Sequence, residues 1–275
     1  MQDPALWVPD QAYLERPSAA RIYDYLLGGA HNFACDRAVA EQALAVKPDL
    51  RTQAVANRDF LGRAVEYLTG VGIRQFLDIG SGIPAVGSVH EVARRADPDV
   101  RVVYVDQDAV AVAHAQAIVG DDPRVAVVRE DLRHPDRILG DPRARAVLDL
   151  DQPVAVLLVA ILHVIPDSDD PHGIIALLHG AVAPGSYLVI AHGTADGAPD
   201  EARQLETVSR NTDTPMTMRS RPEVTGLVRG WDLVEPGVVW APQWHPRPGA
   251  VVPDDPARSG NLVAVGRKSP ARGDG

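Results

Sequence analysis

The sequence predicts an α/β fold: a mostly parallel seven-stranded sheet with helices on both faces, closed by a terminal antiparallel pair of strands and covered by an amino-terminal helical cap. Three observations carry this expectation. From Arg74 to His192 apolar runs alternate with helically periodic segments, the order in which parallel strands and their covering helices follow one another. The alternation then stops, and the last two apolar runs are joined with no obvious helix between them, which suits antiparallel pairing. Upstream, residues 12–70 hold three helically periodic segments too rich in apolar positions to be a tail.

The elements follow in order. In the cap, Ala19–Leu27, Asp36–Val46 and Thr52–Leu68 repeat apolar residues with helical spacing. Residues 71–268 form the core. Arg74–Ile79 is the first strand. Pro84–Ala96 follows as a helix with Val86, Val89, Val92 and Ala93 on one face, and proline suits a first helical turn. Val100–Val105 is the second strand. Asp108 is placed to cap the helix Ala109–Val119, which Gly120 stops. Val125–Arg129 is the third strand, and Val154–Ala160 the fourth, apolar throughout as a strand covered on both faces should be. Asp169–Ala183 is a helix ending at Pro184-Gly185, and Ser186–His192 is the fifth strand. Ser220-Arg221-Pro222-Glu223 reads as a capping box opening a further helix. Trp231–Trp240 and Asn261–Gly266 are the last two strands, separated by a proline-rich, irregular connection up to Ser259.

Composition narrows the function. The 275 residues are read as one domain, residues 1–275, with an ordinary 45% of hydrophobic residues. A formal net charge of −10 argues against broad nucleic-acid binding, which needs basic surface. The start, Met1–Asp10, lacks the basic and apolar regions of a secretory signal. The longest apolar stretch, Val154–Ile165, is too short to span a bilayer and contains His163. Cys35 is the single cysteine, so there is no internal disulfide or multi-cysteine zinc site; it fits a reducing, cytoplasmic setting. His31, His172, His179 and His192 are too scattered in sequence to suggest a metal site.

Three features on successive strand ends point to a ligand at the sheet's carboxyl edge. In Phe76-Leu77-Asp78-Ile79-Gly80-Ser81-Gly82 a strand ends and the chain turns on glycines into a helix. Glycine permits a sharp turn and close ligand approach, and a helix amino terminus offers free N–H groups; a plain strand-to-helix turn has the same pattern. Asp106, closing the second strand, stands where an acid takes ribose hydroxyls in nucleotide-binding sheets, although a solvated loop acid reads the same. Glu130-Asp131-Leu132 offers an acid for the adenine amino group and an apolar residue to cover the ring, or again a loop acid.

Most of the chain resembles a family of S-adenosylmethionine-dependent methyltransferases of the class I, Rossmann-like fold, long catalogued as a domain of unknown function. The resemblance rests on Pro17-Ser18-Ala19-Ala20-Arg21-Ile22-Tyr23-Asp24-Tyr25-Leu26-Leu27-Gly28-Gly29, Asn32-Phe33, Asp36-Arg37, Asn57-Arg58, Phe60-Leu61, Gln75 to Gly82, Val89-His90-Glu91-Val92 and Pro184-Gly185-Ser186-Tyr187-Leu188. His31 departs from it, standing where an acid or other polar residue is expected. The resemblance implies S-adenosylmethionine as cofactor. By position it puts Asp78, Gly80, Ser81 and Gly82 around the methionine part, Asp106 and Gln107 at the ribose, and Asp131 and Leu132 at the adenine. Ala160 and His163 would face the reacting methyl. Arg21, Tyr25 and Asn32 would close over the site from the cap, although Tyr23 and Tyr25 point to different faces of a helix. His163 reads as a general base, because a histidine titrates near neutrality, or as a polar side chain bonded to nearby backbone. No metal is expected, and the implied activity is methyl transfer to a small-molecule acceptor. A non-catalytic S-adenosylmethionine- or S-adenosylhomocysteine-binding module is an alternative. An NAD-dependent dehydrogenase is another, because Gly80 to Ala85 also fits the dinucleotide fingerprint; Ile83-Pro84 and the Asp131-Leu132 pair count against it.

Overall fold

A computed structural model describes residues 15–84, 87–210 and 212–270. Its sheet has eight strands in the order β3-β2-β1-β4-β5-β8-β6, with β7 also paired to β8. Strands β1 (Gln75–Ile79), β2 (Arg101–Asp106), β3 (Val125–Arg129), β4 (Ala155–Val159) and β5 (Tyr187–Gly193) are mutually parallel. Strands β6 (Asp232–Leu233), β7 (Val239–Trp240) and β8 (Asn261–Arg267) supply the antiparallel edge, with β8 running against β5. This is the predicted α/β architecture. Strand order reverses between β1 and β4, and the crevice at such a reversal is where open α/β sheets hold ligands.

The expected strand Trp231–Trp240 is two short strands instead of one. Pro236 has no N–H for a ladder and Gly237 takes φ +82, so the chain turns away from β8 and returns at Val239. The helix expected over Pro84–Ala96 is also shorter: α4 covers Val89–Arg94. Gly87 takes φ +81 and Ser88 forms a capping box with Glu91, which fixes the helix start there. The glycine turn therefore does not feed directly into a helix terminus. Val86, assigned to that helix, lies outside the described residues, as do Met1–Asp10, the first residues of the expected cap and residues 271–275.

Strand alternation divides the core between the sheet's two faces. Leu77, Ile79, Val103, Val105, Val156 and Leu158 pack with Ile174 and Leu178 of α8 (Pro171–Ala181). Phe76, Val102, Tyr104 and Leu157 pack against Phe60, Leu61 and Leu68 of α3 (Leu50–Gly70) and against Trp244. Asp78 alternates with Leu77 and Ile79, so it shares the α3 face.

The cap consists of α1 (Ala19–Leu26), α2 (Ala34–Val46) and α3. Arg21 of α1 is 1% exposed, with Nε 2.9 Å from Asp36 Oδ2 of α2 and Nη1 3.0 Å from Asp108 Oδ2. Asp108 also caps α5 (Ala109–Val119) by accepting from Val110 N and Ala111 N. One guanidinium thus ties the cap to the loop after β2. Breaking a buried pair from one side leaves an uncompensated charge. Arg21→Met should lower the unfolding free energy by about 3–5 kcal/mol in urea denaturation. A loss below about 1 kcal/mol, the range of surface pairs, would contradict the role given to this network.

Candidate functional site

The ends of β1 to β5 and the underside of the cap enclose a cavity of about 820 Å³. Its first wall is the glycine turn. Gly80 (φ +72) and Gly82 (φ +63) both take left-handed backbone angles, for different reasons. A Cβ on Gly80 would lie 2.6 Å from Ile161, so there the turn requires close packing. A Cβ on Gly82 would meet nothing within 4 Å, leaving open space beside the cavity. The turn is moulded on the end of β2: Gly80 N and Ser81 N donate to Val105 O, and Gly82 N donates to Asp106 Oδ2 at 2.8 Å.

Asp106 has a second fixed donor, Asp108 N, 2.8 Å from its Oδ1. Both oxygens keep lone-pair capacity for a ligand diol. Burial drives the Asp106 carboxyl up to about 6, against the pull of its backbone bonds. Asp78 is driven further, to about 7, by burial and by the Asp106 charge, with Arg58 opposing. Gln107, Glu130, Asp131 and Leu132 continue the wall along β2 and β3. Asp131 behaves differently from the other two acids. Burial pulls its carboxyl upward, but bonds from the Arg133 side chain and backbone outweigh this and hold it below the usual range.

Beyond β4 the backbone is unusual. Ala160 takes φ +62 and donates its N–H to Ala191 O at 2.9 Å. Left-handed geometry in a non-glycine residue is a stored cost of the kind found at functional sites. His163 follows in a single 3₁₀ turn and lines the cavity. Gly193 N donates to its Nδ1 at 3.4 Å, leaving the ring proton of the neutral form on Nε2. Burial and the Arg219 charge push this imidazole down to about 4, out of the near-neutral range in which a base operates well. Neighbouring His192 is pushed down to about 3 by burial and by His163. Arg219 donates to His192 Nε2 at 2.9 Å and to the carbonyls of Leu162 and Ile165, so it fixes the loop after β4 from underneath.

The cap residues divide. Arg21 lines the cavity, but its guanidinium is engaged by Asp36, Asp108 and Arg16 O. Tyr25 does not line the cavity: its hydroxyl is 2.5 Å from Glu41 Oε1 and Arg51 lies over its ring. Tyr23 lines it instead, with its hydroxyl donating to Ala54 O and accepting from Asn57 Nδ2. Asn32 is also away from the cavity. It donates to Asp24 Oδ2 and Gly29 O, holding the turn after α1. His31 lies in that turn, its ring 4.0 Å from that of His114. The sequence reading passed over Arg58 and the segment Thr214–Met218 as site residues, yet both line the cavity. Arg58 stood within a matching block; the 214–218 segment has no motif. Among the described residues no group of three or more potential ligands could hold a metal ion, and no helix is long and apolar enough to cross a membrane.

Comparisons with known proteins identify the family and the fold. The profile of a family described as S-adenosyl methyltransferase matches residues 6–269. No curated protein matches the sequence. A crystal structure described as a candidate methyltransferase from Thermobifida fusca is 37% identical, covering 97% of this chain and 100% of its own, with a TM-score of 0.89. A DUF574 family protein from Streptomyces avermitilis is also 37% identical, over 93% of this chain and 98% of its own, with a TM-score of 0.86. An O-methyltransferase family protein from Burkholderia thailandensis shares the fold at 15% identity and a TM-score of 0.54, over 94% of this chain and 66% of its own.

The raised acids predict an unusual pH dependence. A carboxyl whose folded pKa lies above its unfolded value of about 3.9 binds more protons when folded. Its stabilising contribution is complete below that unfolded value and is lost as pH rises to about 7 for Asp78. Asp78→Asn should therefore gain stability relative to the wild type as pH rises from 4 to 7, by at most about 1.4 kcal/mol per pH unit. Chemical denaturation of both proteins across this range measures the difference. A pH-independent difference would mean that Asp78 titrates normally.

Proposed function

Since the chain belongs to the S-adenosyl methyltransferase family, we propose that it methylates a small-molecule acceptor in the cytoplasm, with cofactor and acceptor meeting inside the one cavity described above. The supporting observation is the two-sided lining of that cavity. One side is built from strand-end residues, Asp78 to Gly82, Asp106, Gln107, Asp131, Leu132 and Ala160. The other is built from Tyr23, Leu26, Leu50, Leu205, Met216 and Met218. Its volume, about 820 Å³, falls within the roughly 300–1,000 Å³ of small-molecule sites.

The strand-end side fits S-adenosylmethionine. The open space at Gly82 lets a ligand approach the backbone closely. Asp106, already oriented by two backbone donors, would accept from the ribose hydroxyls. Asp131 and Leu132 would take the adenine, and Gly80 and Ser81 would border the methionine part. When bound, the cofactor supplies a sulfonium methyl group to an acceptor nucleophile.

The protein's contribution is placement and dryness. Holding two reactants in line converts a bimolecular encounter into a unimolecular one. The apolar side chains on the cap side exclude water from the acceptor. Ala160 and His163 border the space between the two sides. His163, with Nδ1 accepting from Gly193, would present an N–H as a positioning donor, the general base being the other reading of this residue.

Thermal melts test the cofactor. S-adenosylhomocysteine at a hundredfold excess over its Kd should stabilise the fold by about 2.7 kcal/mol, with NAD giving no comparable shift; stabilisation by NAD alone would refute the assignment. Asp106→Ala should weaken S-adenosylhomocysteine by about 1.5–3 kcal/mol and leave folding intact, and normal binding would remove Asp106 from the ribose site. Transfer itself is read with methyl-labelled cofactor and a metabolite mixture. With an acceptor in hand, His163→Gln should retain more than about a tenth of the transfer rate, because loss of a general base costs about 10²–10⁴-fold. A loss beyond a hundredfold would restore the base role.

A further inference from the structure

Six cations line the cavity: Arg16, Arg21, Lys47, Arg58, Arg129 and Arg133. Most have visible partners. Arg21 is held by Asp36 and Asp108, Lys47 faces Glu201 at 3.5 Å, and Arg133 is shared between Asp131 and Asp169. Arg129 donates to Gln107 O at 3.3 Å, and Arg16 is exposed to solvent. Arg58 is different. It is half-buried on α3, forms no ion pair among the described residues, and its buried Nε has no hydrogen-bond partner.

A guanidinium N–H shut off from water without a partner is costly, and a fold ordinarily avoids such a cost unless a ligand answers it. The fold shows which end of the ligand that would be. Arg58 reaches the site from the sheet face that Asp78 shares, and its positive charge acts on Asp78. Asp78 lies near the end of β1, whereas the proposed ribose and adenine walls lie at the ends of β2 and β3, progressively farther across the sheet. Arg58 therefore stands at the methionine end. That end carries one anion, a carboxylate, whose two oxygens match the planar fork of a guanidinium.

We infer that Arg58 anchors the α-carboxylate of S-adenosylmethionine, which makes it the residue that distinguishes the complete cofactor from analogues lacking that carboxylate. The inference rests on the cofactor reading above. It goes beyond that reading in giving a cap helix, rather than the glycine turn, charge recognition of the amino-acid end.

Calorimetric titration tests this with two compounds: S-adenosylhomocysteine and its decarboxylated analogue, S-adenosyl-3-thiopropylamine. The wild type should prefer S-adenosylhomocysteine by about tenfold or more. Arg58→Gln should lose about 10- to 100-fold in affinity for S-adenosylhomocysteine and change its affinity for the analogue little, so that the preference collapses. Arg58→Lys, which keeps the charge and loses the fork, should fall between. Equal wild-type affinity for the two compounds would overturn the assignment without any variant having to fold. So would equal weakening of both by Arg58→Gln, which would indicate a structural role. If the wild type binds neither compound, the cofactor reading fails, and this inference fails with it. If it binds both alike, the cofactor reading survives and the Arg58 assignment does not.

Discussion

The site depends on the burial of one guanidinium. Arg21 brings a full charge out of water, and this is tolerable only where carboxylates and carbonyls answer it completely. The answering groups lie on different elements, and each has a second task. Asp36 Oδ2 accepts from both Arg21 Nε and Phe33 N, while its Oδ1 accepts from Ser18 N. Asp108 gives Oδ2 to Arg21 and Oδ1 to the first turn of α5. The backbone N–H of Asp108 then donates to Asp106, whose other oxygen holds Gly82. A continuous chain of bonds thus runs from the cap through the end of β2 to the glycine turn. The position of the cap and the shape of the turn are set by the same network.

The same edge of the sheet carries a deliberate disadvantage. Asp78 and Asp106 are 5% and 9% exposed, and neither forms an ion pair among the described residues. Their raised carboxyls mean that ionisation at neutral pH works against the free protein. Arg133 relieves this for Asp131; nothing equivalent meets Asp106. A cationic ligand whose ribose donates hydrogen bonds would supply part of what is missing. This is the trade between stability and activity expected of a binding site. The loop after β4 repeats the logic with histidines: His163 and His192 are kept neutral beside the buried Arg219, so they add no positive charge to this edge of the site.

Much of this was legible in the sequence because it depends on short-range physics. Apolar runs mark the central strands, Asp108 and Ser220 mark helix starts, and the glycines of the turn mark backbone that ordinary residues cannot follow. What escaped depends on long-range placement. Tyr23 and Tyr25 have the same chemistry and are two positions apart. Which one faces the cavity depends on how α1 is rotated over the sheet, and Arg21 fixes that rotation through contacts with residues 36 and 108. Asn32 has the makings of a ligand contact, yet Asp24 lies close enough to claim it for the turn. The short, proline-led helices Pro135–Gly140 and Pro142–Val147 are too brief for periodicity to reveal. Arg58 stands in a matching block, but what singles it out is a buried Nε with no partner, which a sequence cannot show.

The two sides of the cavity are built with unequal constraint from the sheet. The strand-end side is made of residues fixed by parallel ladders and of a turn pinned to Val105 and Asp106. Shifting any of these residues would disturb the sheet itself. The opposite side draws on cap helices and on the segment Thr214–Met218, which is held by a few bonds such as Thr217 N to His163 O and Met218 N to Glu206 Oε1. Segments of that kind can change composition without disturbing a ladder. Methionine also adapts its shape to what it contacts, so Met216 and Met218 suit a wall that fits itself to a ligand. Under the proposed function, rigid strand ends would hold the methyl donor, while the adaptable wall would select the nucleophile brought to it.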